Sequence, residues 1–117
     1  MKNKIMFSLD TDNNKVSMNM YRLINKLVNG QIIQGAYKGV EETSIMTDIS
    51  NYSLVLDIAY KFNQDSILVL TDNSASLVFS DRRPDLKIGT QLVKVSKDVA
   101  INSEAYSLIN GQYYIVE

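Results

Sequence analysis

The residues best suited to recognising another molecule are cationic and aromatic. Arg82 and Arg83 stand side by side in Asp81-Arg82-Arg83-Pro84-Asp85, Arg22 and Lys26 lie one helical turn apart, and Tyr37-Lys38 sits between Gly35 and Gly39. A guanidinium fork matches phosphate oxygens, and an aromatic face accepts a base or a cation. Together with Phe79 and Tyr106, these groups have the chemistry of a pocket for a small anionic nucleotide. Arg82-Arg83 is the strongest candidate, because it follows a predicted strand, is too polar to be buried, and loops on a rigid sheet commonly meet ligands. Taken singly, each cation reads as a solubilising charge and each ring as packing.

Reactive groups are scarcer. The 117 residues include no His and no Cys, which excludes disulfides, thiol nucleophiles, Cys/His zinc sites and histidine relays. Glu41 and Glu42 are neighbours near Lys38, but on an extended segment they point to opposite faces and cannot act as a pair. Asp81 and Asp85 flank arginines that would hold them ionised as structural partners. Asp10-x-Asp12-x-Asn14 begins like a calcium loop, yet Lys15 replaces the required glycine and Tyr21 the required bidentate Glu. Neither a phosphate-binding glycine loop nor a dinucleotide fingerprint occurs. This inventory describes a binding protein with no enzymatic activity and no metal or cofactor.

The elements that must position these groups follow from composition and period. With 12 basic against 13 acidic side chains, 45% hydrophobic and 21% charged residues, the chain reads as one soluble domain over 1–117. A net charge of -1 supplies no global field for DNA, RNA or an anionic membrane. Neither a signal peptide nor an apolar run of roughly 18 residues is visible. The fold class expected is α+β, a mostly antiparallel sheet built from hairpins with two amphipathic helices packed on it. Lys4–Leu9 and Lys15–Met18 form an opening hairpin across Asp10–Asn14. A helix from Asn19 buries Met20, Leu23, Ile24, Leu27 and Val28 and ends at Gly30. Gln31–Thr43 and Ser44–Ile49 hold a strand, a glycine-bounded connection and another strand. A second helix, capped by Ser50 or Asn51, buries Leu54, Val55, Ile58, Ala59 and Phe62 and pairs Asp57 with Lys61. Ser66–Thr71 is a buried strand turned by Asp72-Asn73-Ser74 into Ala75–Ser80. Thr90–Ser96 is a strand and Lys97–Ile101 one helical turn. Asn110-Gly111 suits a type I′ turn between Tyr106–Ile109 and Gln112–Val116.

Three stretches carry a resemblance: Gln34-Gly35-Ala36-Tyr37-Lys38-Gly39-Val40-Glu41-Glu42-Thr43-Ser44, Phe62-Asn63-Gln64-Asp65-Ser66-Ile67-Leu68, and Asn110-Gly111-Gln112-Tyr113-Tyr114. From about Met20 onward the chain resembles small phage and prophage proteins, in particular Thoeris anti-defence proteins of the cyclic ADP-ribose sponge type. The resemblance implies a phage-encoded homo-oligomer that sequesters glycocyclic ADP-ribose, or cyclic oligonucleotides, without degrading it, in the cytoplasm of the infected bacterium. It also implies arginines and an aromatic stack at a subunit contact. Two other readings stay open on the residues alone: a protein-binding inhibitor of a bacterial defence system, of anti-CRISPR type, and a small phage structural protein.

Overall fold

The computed structural model describes residues 2–117. In chain order the elements are β1 (Lys4–Phe7), α1 (Met18–Leu27), β2 (Gln31–Tyr37), β3 (Val40–Asp48), α2 (Tyr52–Lys61), β4 (Ser66–Leu70), β5 (Ala75–Phe79), β6 (Leu86–Gly89), β7 (Leu92–Val95), α3 (Lys97–Ile101), β8 (Ala105–Ile109) and β9 (Gln112–Val116). All strands pair antiparallel in one nine-stranded sheet of order β6-β5-β4-β1-β3-β2-β8-β9-β7. The two outermost strands, β6 and β7, are neighbours in the chain, so the sheet must curl until its edges approach. Thr90 and Gln91 join them, and both donate their backbone N–H to the Glu117 carbonyl. A Cβ at Gly89 would strike Val116, so the residue before this corner has to be glycine. The result is a curled half-barrel with a few short helices. The α+β expectation therefore holds in outline, but the sheet dominates.

Curling gives the sheet a convex and a concave face, and each has its own core. On the convex side Ile5, Phe7, Ile45, Ile67, Val69 and Val78 pack against Tyr21, Ile24 and Val28 of the α1 region and Val55, Ile58 and Ala59 of α2. Their alternates along the strands, Met6, Ile33, Leu70, Ala75, Leu92 and Ile109, close on one another across the concave side. Directly paired residues share a face, so the register sorts the strand residues to one face of the sheet or the other.

Several expectations need correction. The opening hairpin shrinks to a single bridge, Thr11 to Asn14, and β1 pairs instead with β3 and β4, both remote in sequence. Residues 15–17 do not form a strand; Asp10 accepts the Val16 N–H and Ser17 caps α1. In α1 the buried stripe is Tyr21 and Ile24, continued by Val28, while Leu23 and Leu27 are 56% and 63% exposed. In α2 the stripe is Val55, Ile58 and Ala59, and Leu54 is exposed. Asn51 does not cap that helix: its amide donates instead to the Val28 carbonyl and the Thr47 hydroxyl, which also bond each other. Asp57 and Lys61 are not among the ion pairs of the described residues. β6, a four-residue strand, has no counterpart in the sequence reading.

Candidate functional site

One row of side chains crosses the concave face from strand to strand. Glu42 on β3 pairs with Gly35 on β2, Gly35 with Ser107 on β8, Ser107 with Tyr114 on β9, and Tyr114 with Lys94 on β7. Because paired positions share a face, these five residues line one band of the concavity. The Ser107 hydroxyl contacts the sulfur of Met6, a concave-core residue, at 3.9 Å, and Tyr114 packs on the same core. Gly35 puts no side chain between Glu42 and Ser107. It is glycine because a Cβ there would strike the Tyr106 carbonyl of the adjoining strand. The band therefore presents a carboxylate, a gap of about two strand spacings (~10 Å), two hydroxyls and an ammonium.

Electrostatics single out Glu42. Loss of surrounding water raises its carboxyl above the ordinary value; Lys15 opposes the rise, and Asp10 and Asp12 add to it. The rim thus gathers three carboxylates against one ammonium, although the residues do not converge as a metal-binding group. Such a rim attracts a cation rather than a phosphate.

Beside Glu42, two hydroxyls hold the rim together. Tyr21 is 1% exposed. Its oxygen accepts the Leu9 N–H at 3.0 Å and donates to the Thr43 carbonyl at 3.1 Å. Ser8 donates to the same carbonyl at 2.9 Å and accepts the Asp10 N–H at 3.3 Å. Burial pushes the Tyr21 phenol above its ordinary value, so it stays protonated and able to donate.

The eight residues expected to bind a nucleotide are distributed over several elements. Arg22 and Lys26 lie on the exposed side of α1, where Arg22 bonds Asn19 at 3.0 Å. Tyr37 and Lys38 occupy the tip of the β2–β3 hairpin, with the Lys38 ammonium 5.3 Å from the Tyr37 ring. Tyr106 lies on the convex face, edge-on to Tyr113 at 5.6 Å. Arg83 is engaged within its own chain: it pairs with Asp65 and Asp81, and its guanidinium stacks 4.1 Å from Phe79. A groove between α2 and the end of β5 is lined by Leu56, Asp57, Tyr60, Lys61, Phe79 and Arg82 among others, and of the eight it brings together only Phe79 and Arg82. The sequence reading placed Glu41 and Glu42 on opposite faces, as β3 does, but it dismissed Glu42 with the pair. Ser107 and Lys94 were also missed, since only the β2–β8 and β7–β9 pairings put them in the row.

No curated protein and no solved structure matches this chain. A family model does: that of the S-adenosylmethionine lyase family, over residues 8–117. The match runs through the acidic rim and the whole sheet beyond β1. It supports a phage anti-defence class, but not the Thoeris sponge type. It overturns two expectations, that the protein lacks enzymatic activity and that it sequesters a cyclic nucleotide intact, because the family is one of enzymes that cleave S-adenosylmethionine. The absence of His and Cys misled here, since it removes common nucleophiles and bases but not reactions in which the substrate supplies its own. The chain belongs to the S-adenosylmethionine lyase family.

Proposed function

We propose that this protein degrades S-adenosylmethionine, with the substrate lying along the concave row from Glu42 to Tyr114. Family membership over residues 8–117 carries this reading. A lyase breaks a bond without water, and this substrate contains both reacting partners. Its α-carboxylate can attack its own Cγ, forming a five-membered cyclic ester, while the Cγ–S bond breaks and its electron pair passes to sulfur. The products are homoserine lactone and neutral methylthioadenosine. No proton acceptor, metal or oxidant enters the balance, so a site without histidine suffices.

Charge disappears as that reaction proceeds, and this constrains the role of Glu42. A carboxylate against the sulfonium would stabilise the reactant more than the transition state and slow the step. Glu42 therefore holds the α-ammonium, which keeps its charge throughout, and so turns the substrate's carboxylate toward Cγ. The Tyr114 ring, three strand spacings or ~14 Å along the sheet, lies where the adenine of an extended substrate falls and stacks on it. Assembly with further copies belongs to the same proposal, supported by the exposed Leu23 and Leu27 on α1. Native mass spectrometry reads the subunit number.

Incubation of purified protein with S-adenosylmethionine in 18O-water tests the reaction. Methylthioadenosine and an unlabelled lactone are expected. Intact substrate after prolonged incubation would overturn the reading, and so would homoserine labelled at its hydroxyl oxygen, which marks attack by water on Cγ.

A further inference from the structure

The ladder joining β1 to β3 ends at the Phe7–Ile45 pair. Past that point the chain continues into Ser8–Asp10 on one side and Thr43–Glu42 on the other, and no backbone pair links the two among the described residues. Two hydroxyls take over the connection. Tyr21 ties the Leu9 N–H to the Thr43 carbonyl, and Ser8 ties the Asp10 N–H to that same carbonyl, with 3.0 Å between the two oxygens. We infer that Tyr21, through its buried hydroxyl, is a positioning residue for Glu42, fixing the end of β3 against the acidic segment that begins at Asp10. The inference rests on the reading of Glu42 as the substrate-binding carboxylate.

Packing alone does not explain a tyrosine here. A phenylalanine would fill the same space in the convex core, and the cost of burying a phenol is offset only by partners. Every partner Tyr21 has belongs to the two segments that flank Glu42. The hydroxyl also lies at the one place where the rim would otherwise part, since Ser8–Asp10 leaves the ladder there while Thr43 and Glu42 keep only their pairing with β2. Lys15, Asp10 and Asp12 all act on Glu42 across this rim, and misplacement of a substrate-holding group by about 1 Å can cost on the order of 100-fold in rate.

Tyr21→Phe is the test, with three measurements on the full chain: kcat and KM for S-adenosylmethionine, the pH dependence of kcat, and an NMR titration of the 13C-labelled Glu42 carboxyl. The expected variant is folded, shows kcat reduced at least about tenfold with a smaller change in KM, and has a displaced Glu42 titration. A lowered melting temperature with kcat and the Glu42 titration unchanged would reduce Tyr21 to a structural strut and overturn the inference. Should Tyr21→Phe not fold, Ser8→Ala removes the second hydroxyl from a less buried position and must move the same readings in the same direction. The two readings separate cleanly through Glu42→Gln. Full activity in that variant defeats the substrate-binding role of Glu42, whereas an unmoved Glu42 titration in Tyr21→Phe defeats the positioning role of Tyr21.

Discussion

The arginine corner at 81–85 and the acidic rim around Glu42 are both exposed, both rich in charge and both at the ends of strands, yet they differ in what their charges have left to do. At the corner, Arg83 is held by Asp65 and Asp81 and by the Phe79 ring, and Asp81 in turn accepts the Arg83 backbone N–H. Attraction at Arg83 is thus satisfied within the chain, while Arg82 has no ion pair among the described residues. At the rim, Asp10, Asp12 and Glu42 face a single opposing charge, Lys15, and the carboxyl of Glu42 is raised by partial loss of water and by the two aspartates. A surface ion pair contributes little to stability and has little left for a ligand, whereas uncompensated, partly dehydrated charge is a common mark of a functional site. What decides the matter is therefore whether a charge is already spent, which no inventory of Arg and Glu can report.

The comparison breaks most visibly if the two regions contribute equally to turnover. Glu42→Gln should lower kcat/KM for S-adenosylmethionine by about 10- to 100-fold, the loss of one charge-assisted hydrogen bond of ~1.5–3 kcal/mol. Arg83→Ala should leave it within about twofold, as an exposed change outside a site usually does. Steady-state kinetics on the two variants side by side is the check, and a larger loss in Arg83→Ala would reverse the assignment.

Stability against pH should separate the regions by sign. The folded-state value for Glu42 is raised, so its contribution is complete below the ordinary carboxylate range and is lost as pH rises through the raised value. Asp81 is lowered, chiefly by its bond to the Arg83 side chain, so its contribution is present above the ordinary range and is lost as pH falls through the lowered value. Glu42→Gln should therefore melt above the parent at neutral pH and converge with it in acid. Asp81→Asn should melt below the parent at neutral pH and also converge in acid. Thermal melts from strongly acidic to neutral pH read both trends, and parallel shifts in the two variants would remove the contrast.

Legibility in the sequence followed the range of the forces involved. Asn110-Gly111 encodes its own turn, Asp72-Asn73-Ser74 encodes another, α2 forms over the segment whose period predicts it, and α3 forms where one helical turn is expected. In α1 two apolar stripes run side by side, Met20-Leu23-Leu27 and Tyr21-Ile24-Val28, and period cannot choose between them. The choice falls to the second because the Tyr21 hydroxyl finds Ser8, Leu9 and Thr43 waiting inside. Likewise, Lys4–Phe7 reads as a short apolar strand, but its place between β3 and β4 depends on partners dozens of residues away. The row from Glu42 to Lys94 joins two local hairpins by two such pairings, β2–β8 and β7–β9, so the candidate site was hidden even though each of its residues stood in a recognisable strand.

The smallest expected effect concerns backbone strain at the two cations that the sequence reading favoured. Among the described residues, four of the six non-glycine residues in the left-handed region are asparagines, which tolerate it; the others are Lys38, at φ 50°, and Arg82, at φ 68°. Lys38-Gly39 and Asn110-Gly111 turn the β2–β3 and β8–β9 hairpins with nearly the same angles, 50° and 80° against 51° and 78°. Lysine therefore stands where asparagine serves equally well in the same molecule. If neither cation belongs to the site, relief of strain should come free of functional loss: Lys38→Asn and Arg82→Gly should each raise stability by up to about 1 kcal/mol, with glycine losing part of its gain to the entropy of the unfolded chain. Denaturant melts and turnover measured on the same preparations decide the point. A stabilised variant with reduced turnover would show that the strain is retained for substrate handling, bringing the hairpin tip or the arginine corner back into the site.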